Sequence, residues 1–266
     1  MAFQGKTSDS PLVSLVLPAF NPGPSIEQTW DALRAYVRDS AQRWEIVFVC
    51  DGCTDGTPER LVRLTHGTGA RVLSYPTNRG KGYAVRFGLA EAAGEYRIFT
   101  DVDLAYRMEE VEKLATALRR GSEVAIASRA HPDSEMVMPN HLLAYTYRRQ
   151  LQGRVFNLLV RGVLPIRQHD TQAGLKGMTR AAAERILPHL QVDGFGFDCE
   201  LLTACGWFEI PVTEVPIRVH YDAAQSTVSA STTRKMVGEL FRIRRLWKQG
   251  PPAGQPRIAA ELARAG

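Results

Sequence analysis

Short apolar runs alternate with helical patterns along the first half of the chain. The first run, residues 12–17, lies between two prolines and is typical of a buried parallel strand. Apolar residues then recur at helical spacing from Ile26 to Val37, and Ser25 is the predicted N-cap of that helix. The first predicted strand therefore leads directly into a helix.

The same alternation continues as far as residue 127. It predicts strands at 45–50, 70–74, 96–100 and 123–127, and helices at 57–65, 83–92 and 109–120. Repetition at this pitch gives right-handed crossovers, so we predict one α/β domain with a mostly parallel, Rossmann-like sheet flanked by helices. Ligands of such a sheet bind beyond the carboxyl ends of its strands.

The pattern changes after residue 129. A polar loop is predicted at 131–140, followed by a basic amphipathic helical segment at 141–164. Two interpretations of this segment remain open: a surface helix with solvated arginines, or a helix that contacts a membrane surface or an acceptor phosphate. The arginines of this segment are Arg148, Arg149, Arg154 and Arg161.

Composition and local patterns bound the domain organisation. We predict a tail at 1–10, a domain at 11–232, a C-terminal helix at 233–248 and a flexible tail rich in proline and glycine at 249–266. With 44% hydrophobic and 23% charged residues, the chain has the composition of a globular protein. A signal-peptide pattern and any run of 18 apolar residues are absent from the sequence, so we expect a cytoplasmic protein, with peripheral contact to the inner membrane face left open.

Charge and cysteine content narrow the classes of partner. The formal net charge of +5 favours phosphates or an anionic membrane surface, and we expect no nucleic acid partner. Four cysteines occur, and Cys50 and Cys53 have C-x-x-C spacing. We interpret them as free thiols because Cys199 and Cys205 are too far apart to complete a zinc site.

Asp101 and Asp103 follow the apolar strand predicted at 96–100. Two carboxylates therefore lie near the carboxyl end of a strand, with little flanking charge to neutralise them. Oxygen ligands at this spacing suit Mg²⁺ or Mn²⁺, which could bridge to a diphosphate. Aspartates at a strand end are also often solvated or cap a helix, so the motif alone leaves those alternatives open.

Two further segments favour a phosphorylated nucleoside. Asp51 closes the strand at 45–50 and precedes Gly52; a carboxylate there could accept a nucleobase N–H, and a simple turn is the alternative. The segment Asn78-Arg-Gly80-Lys81-Gly leads into a helix, whose N–H groups and basic neighbours favour phosphate. It lacks the spacing of a Walker motif.

In this order the motifs resemble the donor-site segments of family 2 glycosyltransferases, which have the GT-A fold. The first half carries the resemblance through Pro18-Ala-Phe20-Asn21, Asp51-Gly-Cys-Thr-Asp55-Gly-Thr57, Asn78-Arg-Gly80-Lys81-Gly, Asp101-Val-Asp103 and Ser128-Arg129. The second half is similar to the dolichyl-phosphate β-glucosyltransferase and polyprenyl-phosphate sugar synthase group. Its segments are His169-Asp170-Thr-Gln172-Ala-Gly174-Leu-Lys176, Gly196-Phe-Asp198-Cys-Glu200-Leu-Leu and Glu214-Val-Pro216-Ile.

The resemblance implies an inverting, metal-dependent transfer of a hexose, by our interpretation glucose, from a UDP- or GDP-sugar to a polyprenyl- or dolichyl-phosphate acceptor. It implies that Asp198 is the catalytic carboxylate and that Asp101 and Asp103 bind Mg²⁺ or Mn²⁺. The donor contacts that it implies are Pro18, Phe20, Asn21, Asp51, Gly80, Lys81, Asp101, Ser128 and Arg129. The acceptor-side residues that it implies are Asp170, Gln172, Lys176 and Glu200.

Three positions depart from the family pattern. Cys50 stands where the family commonly has an aspartate, and the segment 221–227 lacks the basic residue expected after its serine. Ala105 supplies no third polar ligand, which favours a glucosyl over a mannosyl enzyme. Two alternatives stay open: the same donor chemistry on a soluble hydroxyl acceptor such as a metabolite or glycan, and an inactive nucleotide-sugar-binding or membrane-scaffold module.

Overall fold

The computed structural model describes residues 13–137, 143–220 and 230–251, with side chains omitted at 143–152, 220 and 230–233. Within these ranges nine strands and eight α-helices occur. The strands are β1 (Val13–Ala19), β2 (Trp44–Asp51), β3 (Arg71–Tyr75), β4 (Tyr96–Phe99), β5 (Val124–Ser128), β6 (Glu135–Val137), β7 (Lys176–Thr179), β8 (Val212–Pro216) and β9 (Arg218–His220). The helices are α1 (Ser25–Asp39), α2 (Thr57–Thr65), α3 (Lys81–Glu91), α4 (Met108–Arg119), α5 (Leu143–Val163), α6 (Arg180–Ile186), α7 (Phe197–Trp207) and α8 (Ala230–Trp247).

Seven of the described strands form one sheet in the order β3-β2-β1-β4-β7-β5-β8. Strands β1 to β4 run parallel, and β5 runs parallel to β8. Strand β7 is antiparallel to its neighbours β4 and β5, with Lys176 paired to Phe99. The predicted mostly parallel sheet is confirmed. Because β7 runs in the opposite direction, its first residue lies beside the last residue of β4, at the edge where ligands bind.

Apolar side chains cover both faces of the sheet. Leu15 and Leu17 of β1 belong to the cluster that contacts α1 and α4, whereas Val16 belongs to the cluster that contacts α3, α6 and α7. Successive residues of a strand point to opposite faces, so a strand buried on both faces must be apolar throughout. This requirement explains the short uninterrupted apolar runs of the sequence.

Several boundaries differ from the predicted ones. Ser25 is the first residue of α1 instead of its N-cap, and its hydroxyl donates a hydrogen bond to the carbonyl oxygen of Pro22. Helix α3 begins at Lys81, whereas the predicted start was residue 83. The prediction missed the first turn because glycines at 80 and 82 hide its helical periodicity. The predicted polar loop at 131–140 contains β6, which pairs with β9; all three β6 residues are exposed, so no hydrophobic alternation marks them.

The C-terminal helix is part of the same core. It begins at Ala230 instead of the predicted 233, packs against α5 and α7, and buries Leu240, Ile243 and Trp247 in the same cluster as α7. Segments 1–10 and most of 249–266, predicted as tails, lie outside the described residues. Among the described helices, none has the length and apolar character needed to cross a bilayer.

Candidate active site

The residues with candidate chemistry meet at the carboxyl edge of the sheet. Strand β2 ends at Asp51, Asp101 follows β4 by two residues, and β7 begins at Lys176. Helices α3 and α7 begin at the same edge, with Lys81 and Asp198 in their first turns. Local sequence places each group at an element terminus, and the order of the strands brings them together.

Asp51 holds the loop that precedes α3. Its carboxylate accepts hydrogen bonds from the backbone N–H groups of Arg79 (2.7 Å) and Gly80 (2.9 Å) and from Nδ2 of Asn78 (3.1 Å). The Asp51 residue is only 3% exposed. The loop donors thus occupy the carboxylate of Asp51, which was predicted to contact a nucleobase.

The β1–α1 loop is tied to the β2–α2 loop. Asn21 has a positive φ of 48°, its Oδ1 accepts the N–H of Thr54 (2.8 Å), and its own N–H donates to Sγ of Cys53 (3.4 Å). Phe20 is 55% exposed and Pro18 is partly exposed at this edge. Of the predicted donor contacts on this loop, Phe20 and Pro18 thus keep surface for a ligand, while the side chain of Asn21 is engaged in joining the loops.

Lys81 forms an ion pair with Asp101, with Nζ 2.5 Å from Oδ1. Burial by itself would lower the pKa of the Lys81 ammonium. Attraction to Asp101, Asp198 and Asp103 outweighs burial and raises the pKa above its ordinary value. Little charge flanks the two aspartates in the sequence; the neutralising lysine arrives from the preceding crossover, outside the local sequence.

Asp103 is the less compensated of the two carboxylates. Burial raises its pKa, and the charge of Asp101 raises it further, although Oδ1 accepts the N–H of Ala105 (3.1 Å). Within the described residues, no group of three or more His, Cys, Asp or Glu side chains forms a complete metal site. One half-buried carboxylate, Asp101, and one exposed carboxylate, Asp103, nevertheless fit a hard cation such as Mg²⁺, which commonly takes one or two carboxylates and completes its shell with phosphate oxygens and water.

Gly174 supports Asp101 from the β7 side. A Cβ atom built on Gly174 would lie 3.0 Å from Cγ of Asp101 and still closer to Oδ2. No carbon side chain fits in that space without moving the carboxylate. Glycine at this position therefore allows the backbone before β7 to pack directly against the candidate metal ligand.

Asp198 pairs with a lysine that has no exposed surface. Nζ of Lys176 donates to Oδ1 of Asp198 (2.6 Å) and to the carbonyl oxygen of Ala173 (2.6 Å). Lys176 is 0% exposed and Asp198 is 6% exposed. Lys176, predicted to line the acceptor side, lies inside the protein, behind Asp198.

Arg129 and Asp170 form a bidentate ion pair. Nε and Nη2 of Arg129 donate to the two carboxylate oxygens at 2.6 and 2.8 Å, and the backbone N–H of Arg129 adds a third bond at 3.0 Å. Burial alone would raise the pKa of Asp170, but the Arg129 charge lowers it to about 2. The backbone N–H of Gln172 also donates to Asp170 (3.1 Å), so the two predicted acceptor-side residues Asp170 and Gln172 lie next to the predicted donor contact Arg129.

Two other predicted site residues are internal. Ser128 is 0% exposed, and its hydroxyl donates to Oε2 of Glu214 (2.5 Å). Glu200 is also 0% exposed and accepts the N–H groups of Val192 (2.7 Å) and Trp247 Nε1 (3.2 Å). Ser128, predicted as a donor contact, and Glu200, predicted as an acceptor contact, therefore have no exposed surface in this structure. Two residues along a helix turn a side chain about 200°, so Glu200 points away from the face of Asp198.

The sequence did not indicate the role of the loop before α7. Oε2 of Glu239 in α8 accepts the N–H of Gly196 (2.7 Å), and a Cβ on Gly194 would lie 3.0 Å from Cδ of Glu239. The carbonyl oxygen of Asp193 accepts the N–H of Tyr83 (3.2 Å) in α3. The loop thus joins α3, α7 and α8, and its two closely spaced glycines were the available signal.

Comparison with known proteins was consistent with this architecture. The family model described as glycosyl transferase family 2 matches residues 14–187. The chain belongs to this family. The glycosyltransferase is 31% identical over 257 residues to dolichyl-phosphate beta-glucosyltransferase of Saccharomyces cerevisiae, covering 90% of this chain and 75% of the relative. The human protein of that name is 31% identical over 225 residues, covering 79% and 68% of the two chains.

Solved structures of lower identity share the fold of this glycosyltransferase. Glucosyl-3-phosphoglycerate synthase of Mycobacterium tuberculosis in complex with UDP has a TM-score of 0.61 at 21% identity, covering 88% of this chain and 80% of that chain. The same enzyme was solved with Mn²⁺, UDP and glucosyl-3-phosphoglycerate, with a TM-score of 0.59 at 19% identity, covering 88% and 80%. The predicted GT-A fold and the predicted glycosyltransferase family are both confirmed. The segment 221–227, whose altered pattern was noted above, lies outside the described residues.

Proposed function

We propose that this glycosyltransferase moves a glucosyl residue from UDP-glucose to a polyprenyl-phosphate acceptor, by single displacement with inversion and with a divalent cation. The relatives named dolichyl-phosphate beta-glucosyltransferase, aligned over most of the chain, support this sugar and acceptor class. The observation that carries the proposal is the charge cluster at the strand ends, in which Lys81 faces Asp101, Asp103 and Asp198. Such a cluster suits a donor diphosphate, a cation and an attacking oxygen.

On the donor side, Lys81 and the start of α3 bind the diphosphate. The loop held by Asp51 presents Gly80 with φ of 105°, and the N–H groups of Lys81 and Gly82 have no partner within the helix, whereas the N–H of Tyr83 donates to the carbonyl oxygen of Asp193. When the donor binds, the Lys81 ammonium weakens its ion pair with Asp101 and pairs with the phosphate oxygens. Phe20 and Pro18 contribute exposed apolar surface for the nucleoside.

Asp101 and Asp103 would hold Mg²⁺ or Mn²⁺. The raised pKa of Asp103, caused by burial and by its neighbour Asp101, is relieved by a cation. When bound, the cation stabilises the charge that develops on the leaving nucleoside diphosphate. A solved structure of the same fold contains Mn²⁺ together with UDP, which is consistent with this assignment.

Asp198 orients the acceptor oxygen for attack on the anomeric carbon. A phosphate acceptor is already largely ionised at neutral pH, so the demand on Asp198 as a general base is small. A hydroxyl acceptor would instead need its proton removed by Asp198. Arg129, preset by Asp170, offers the remaining guanidinium surface to a phosphate.

Two basic helices support a lipid acceptor. The sequences of α5 and α8 carry nine basic residues and one acidic residue, Glu239, which faces the loop before α7. On α5, Val155 and Leu158 are 61% and 73% exposed at helical spacing i and i+3, beside exposed Arg154. Apolar side chains flanked by arginines suit the interface of an anionic membrane, where the acceptor's lipid chain lies.

A donor and acceptor panel tests the proposal. The enzyme is incubated with Mn²⁺ and radiolabelled UDP-glucose, GDP-glucose or GDP-mannose, and with polyprenyl phosphate or the matching polyprenol, and products are partitioned into organic solvent. We expect label in the organic phase with UDP-glucose and the phosphate but not the alcohol, and NMR of the product should give the β-anomer. Organic-phase label from another donor alone, or an α-product, would contradict the proposal.

A soluble acceptor is the second candidate. It is favoured by the shared fold with glucosyl-3-phosphoglycerate synthase, which was also solved in complex with phosphoglyceric acid. The same panel, extended to phosphoglyceric acid and small glycans, decides between the two. Label that stays in the aqueous phase in a new anionic or oligosaccharide product would replace the lipid acceptor with a soluble one.

A further inference from the structure

We propose that Lys176 is a positioning residue that fixes the orientation of Asp198 from inside the protein. The proposal deepens the proposed function, on which it rests, because Asp198 is the carboxylate assigned there to the acceptor oxygen. It starts from a lysine with no exposed surface at the first position of β7. A buried ammonium is costly unless its protons are paired, so its partners define its role.

The partners of Lys176 form a fixed seat for one oxygen of Asp198. Nζ donates at 2.6 Å to Oδ1 of Asp198 and at 2.6 Å to the carbonyl oxygen of Ala173, and it lies 6.0 Å from the centre of the Phe99 ring. The Asp198 side chain is 8% exposed. Rotation of the carboxylate would break a buried ion pair, and Lys176 therefore locks its rotamer.

A second lysine makes this lock necessary. Lys81, at the donor side, is attracted by Asp198 as well as by Asp101. Without Lys176, Asp198 would be free to turn toward Lys81 and compete with the donor phosphates for that ammonium. Holding Oδ1 from behind leaves Lys81 to the donor and keeps Oδ2 of Asp198 for the acceptor.

The same short segment also sets the other carboxylate. Residues 173–176 place Gly174 against Asp101 and Lys176 against Asp198, and Lys176 is paired in register with Phe99 at the end of β4. The backbone that leads into the antiparallel strand β7 thus extends from the candidate metal ligand Asp101 to the candidate catalytic carboxylate Asp198. This gives β7 a functional reason to run against the parallel strands around it.

A double-mutant cycle tests whether Lys176 acts through Asp198. Steady-state transfer is measured for Lys176→Met, Asp198→Asn and the double variant with the full-length enzyme. We expect Lys176→Met to lower kcat about 100-fold, as for a misplacement of about 1 Å, while the KM for the donor changes by less than about 3-fold. In the Asp198→Asn background the same change should cause no further loss of kcat. A full additional loss there would overturn the proposal.

Arg97→Met is the matched control. Arg97 is a buried cation on β4, 6% exposed, which donates to the carbonyl oxygens of Leu89 and Gly94; within the described part of the chain its hydrogen-bond partners include no candidate site residue. We expect it to lose stability but keep kcat; a kcat loss equal to that of Lys176→Met would make the lysine effect merely structural. If Lys176→Met does not fold, the comparison of Asp198→Asn with the double variant, in which neither charge remains, carries the test by itself.

The cycle does not depend on which sugar is transferred. It is run with the donor and acceptor for which the wild type turns over fastest in the panel described above. Turnover on a different pair would overturn the proposed function while leaving the cycle fully informative. Wild-type kcat in Asp198→Asn would overturn the role of Asp198, and with it the positioning role of Lys176.

Discussion

The substitution Gly174→Ala tests whether the position of the candidate metal ligand Asp101 controls activity, because it should change kcat more than the free energy of unfolding. The added Cβ would lie 3.0 Å from Cγ of Asp101, whereas carbon atoms in contact prefer about 3.5–4.0 Å, so Cγ must move by roughly 0.5–1 Å, and Oδ2, which lies closer to the Cβ, must move further. The carboxylate is held by Lys81 at 2.5 Å, and it cannot move without loosening that ion pair. We expect the shift to disturb both the cation and the donor.

The expected magnitudes differ between activity and stability. A misplacement of up to about 1 Å at a reacting group lowers kcat by about 100-fold, which corresponds to about 2.7 kcal/mol of barrier. The fold should lose no more than about 2 kcal/mol, because overpacking against the end of a side chain is partly offset by the lower chain entropy of alanine in the unfolded state. The barrier should therefore rise by more than the free energy of unfolding falls.

The assay measures transfer from the best donor, the Mn²⁺ concentration for half-maximal rate, and unfolding in urea. Gly206→Ala is the control on α7, the helix of Asp198, because a Cβ there meets only the carbonyl oxygen of Pro165 at an ordinary 3.8 Å. We expect the control to match the wild type and Gly174→Ala to require more Mn²⁺. Wild-type kcat and Mn²⁺ dependence in Gly174→Ala would refute the assignment of Asp101 to the metal side.

Three further predictions concern other parts of the molecule. Asp103→Ala should abolish transfer with little change in unfolding, because it removes a candidate ligand outside the apolar core; a variant that keeps the wild-type rate, or a wild type that is active in EDTA, would contradict this. The Asp170 pKa is depressed from 3.8 to about 2, so its pair with Arg129 should contribute roughly 2–3 kcal/mol above pH 4 that is lost as the pH falls toward 2. Urea unfolding at pH 7 and pH 2.5 should accordingly show a smaller difference in Asp170→Asn than in the wild type, whereas Asp39→Asn, in an exposed pair, should behave as the wild type does. Changing Arg148, Arg149 and Arg154 of α5 to Gln should reduce pelleting with anionic liposomes at low salt, because each charge contributes on the order of 1 kcal/mol to membrane binding. Equal pelleting of variant and wild type would show that α5 is a surface helix without a membrane role.

The sequence determined the architecture and the family. Short apolar runs that alternate with amphipathic helices require a sheet that is buried on both faces. Each run and each helix is a pattern of neighbouring residues, so it can be recognised from the sequence alone. The order of the motifs ending at Asp101 and Asp103 identified the donor half in the same way. The exposed strand β6 and a few helix ends differed, because they carry no hydrophobic period, and the strands and helices from α6 and β7 to β9 were not predicted individually.

The tertiary structure decided which polar residues face the site and which support it. Lys176 and Asp198 are 22 residues apart in sequence, and Lys81 reaches Asp101 across a crossover, so no local pattern shows that these charges are paired. Ser128 and Glu200 lie next to site residues in the sequence but turn inward, where Glu214 and the loop before α7 satisfy them. The role of a polar side chain depends on its hydrogen-bond or ion-pair partner, and that partner is determined only by the order of the strands and the packing of the helices.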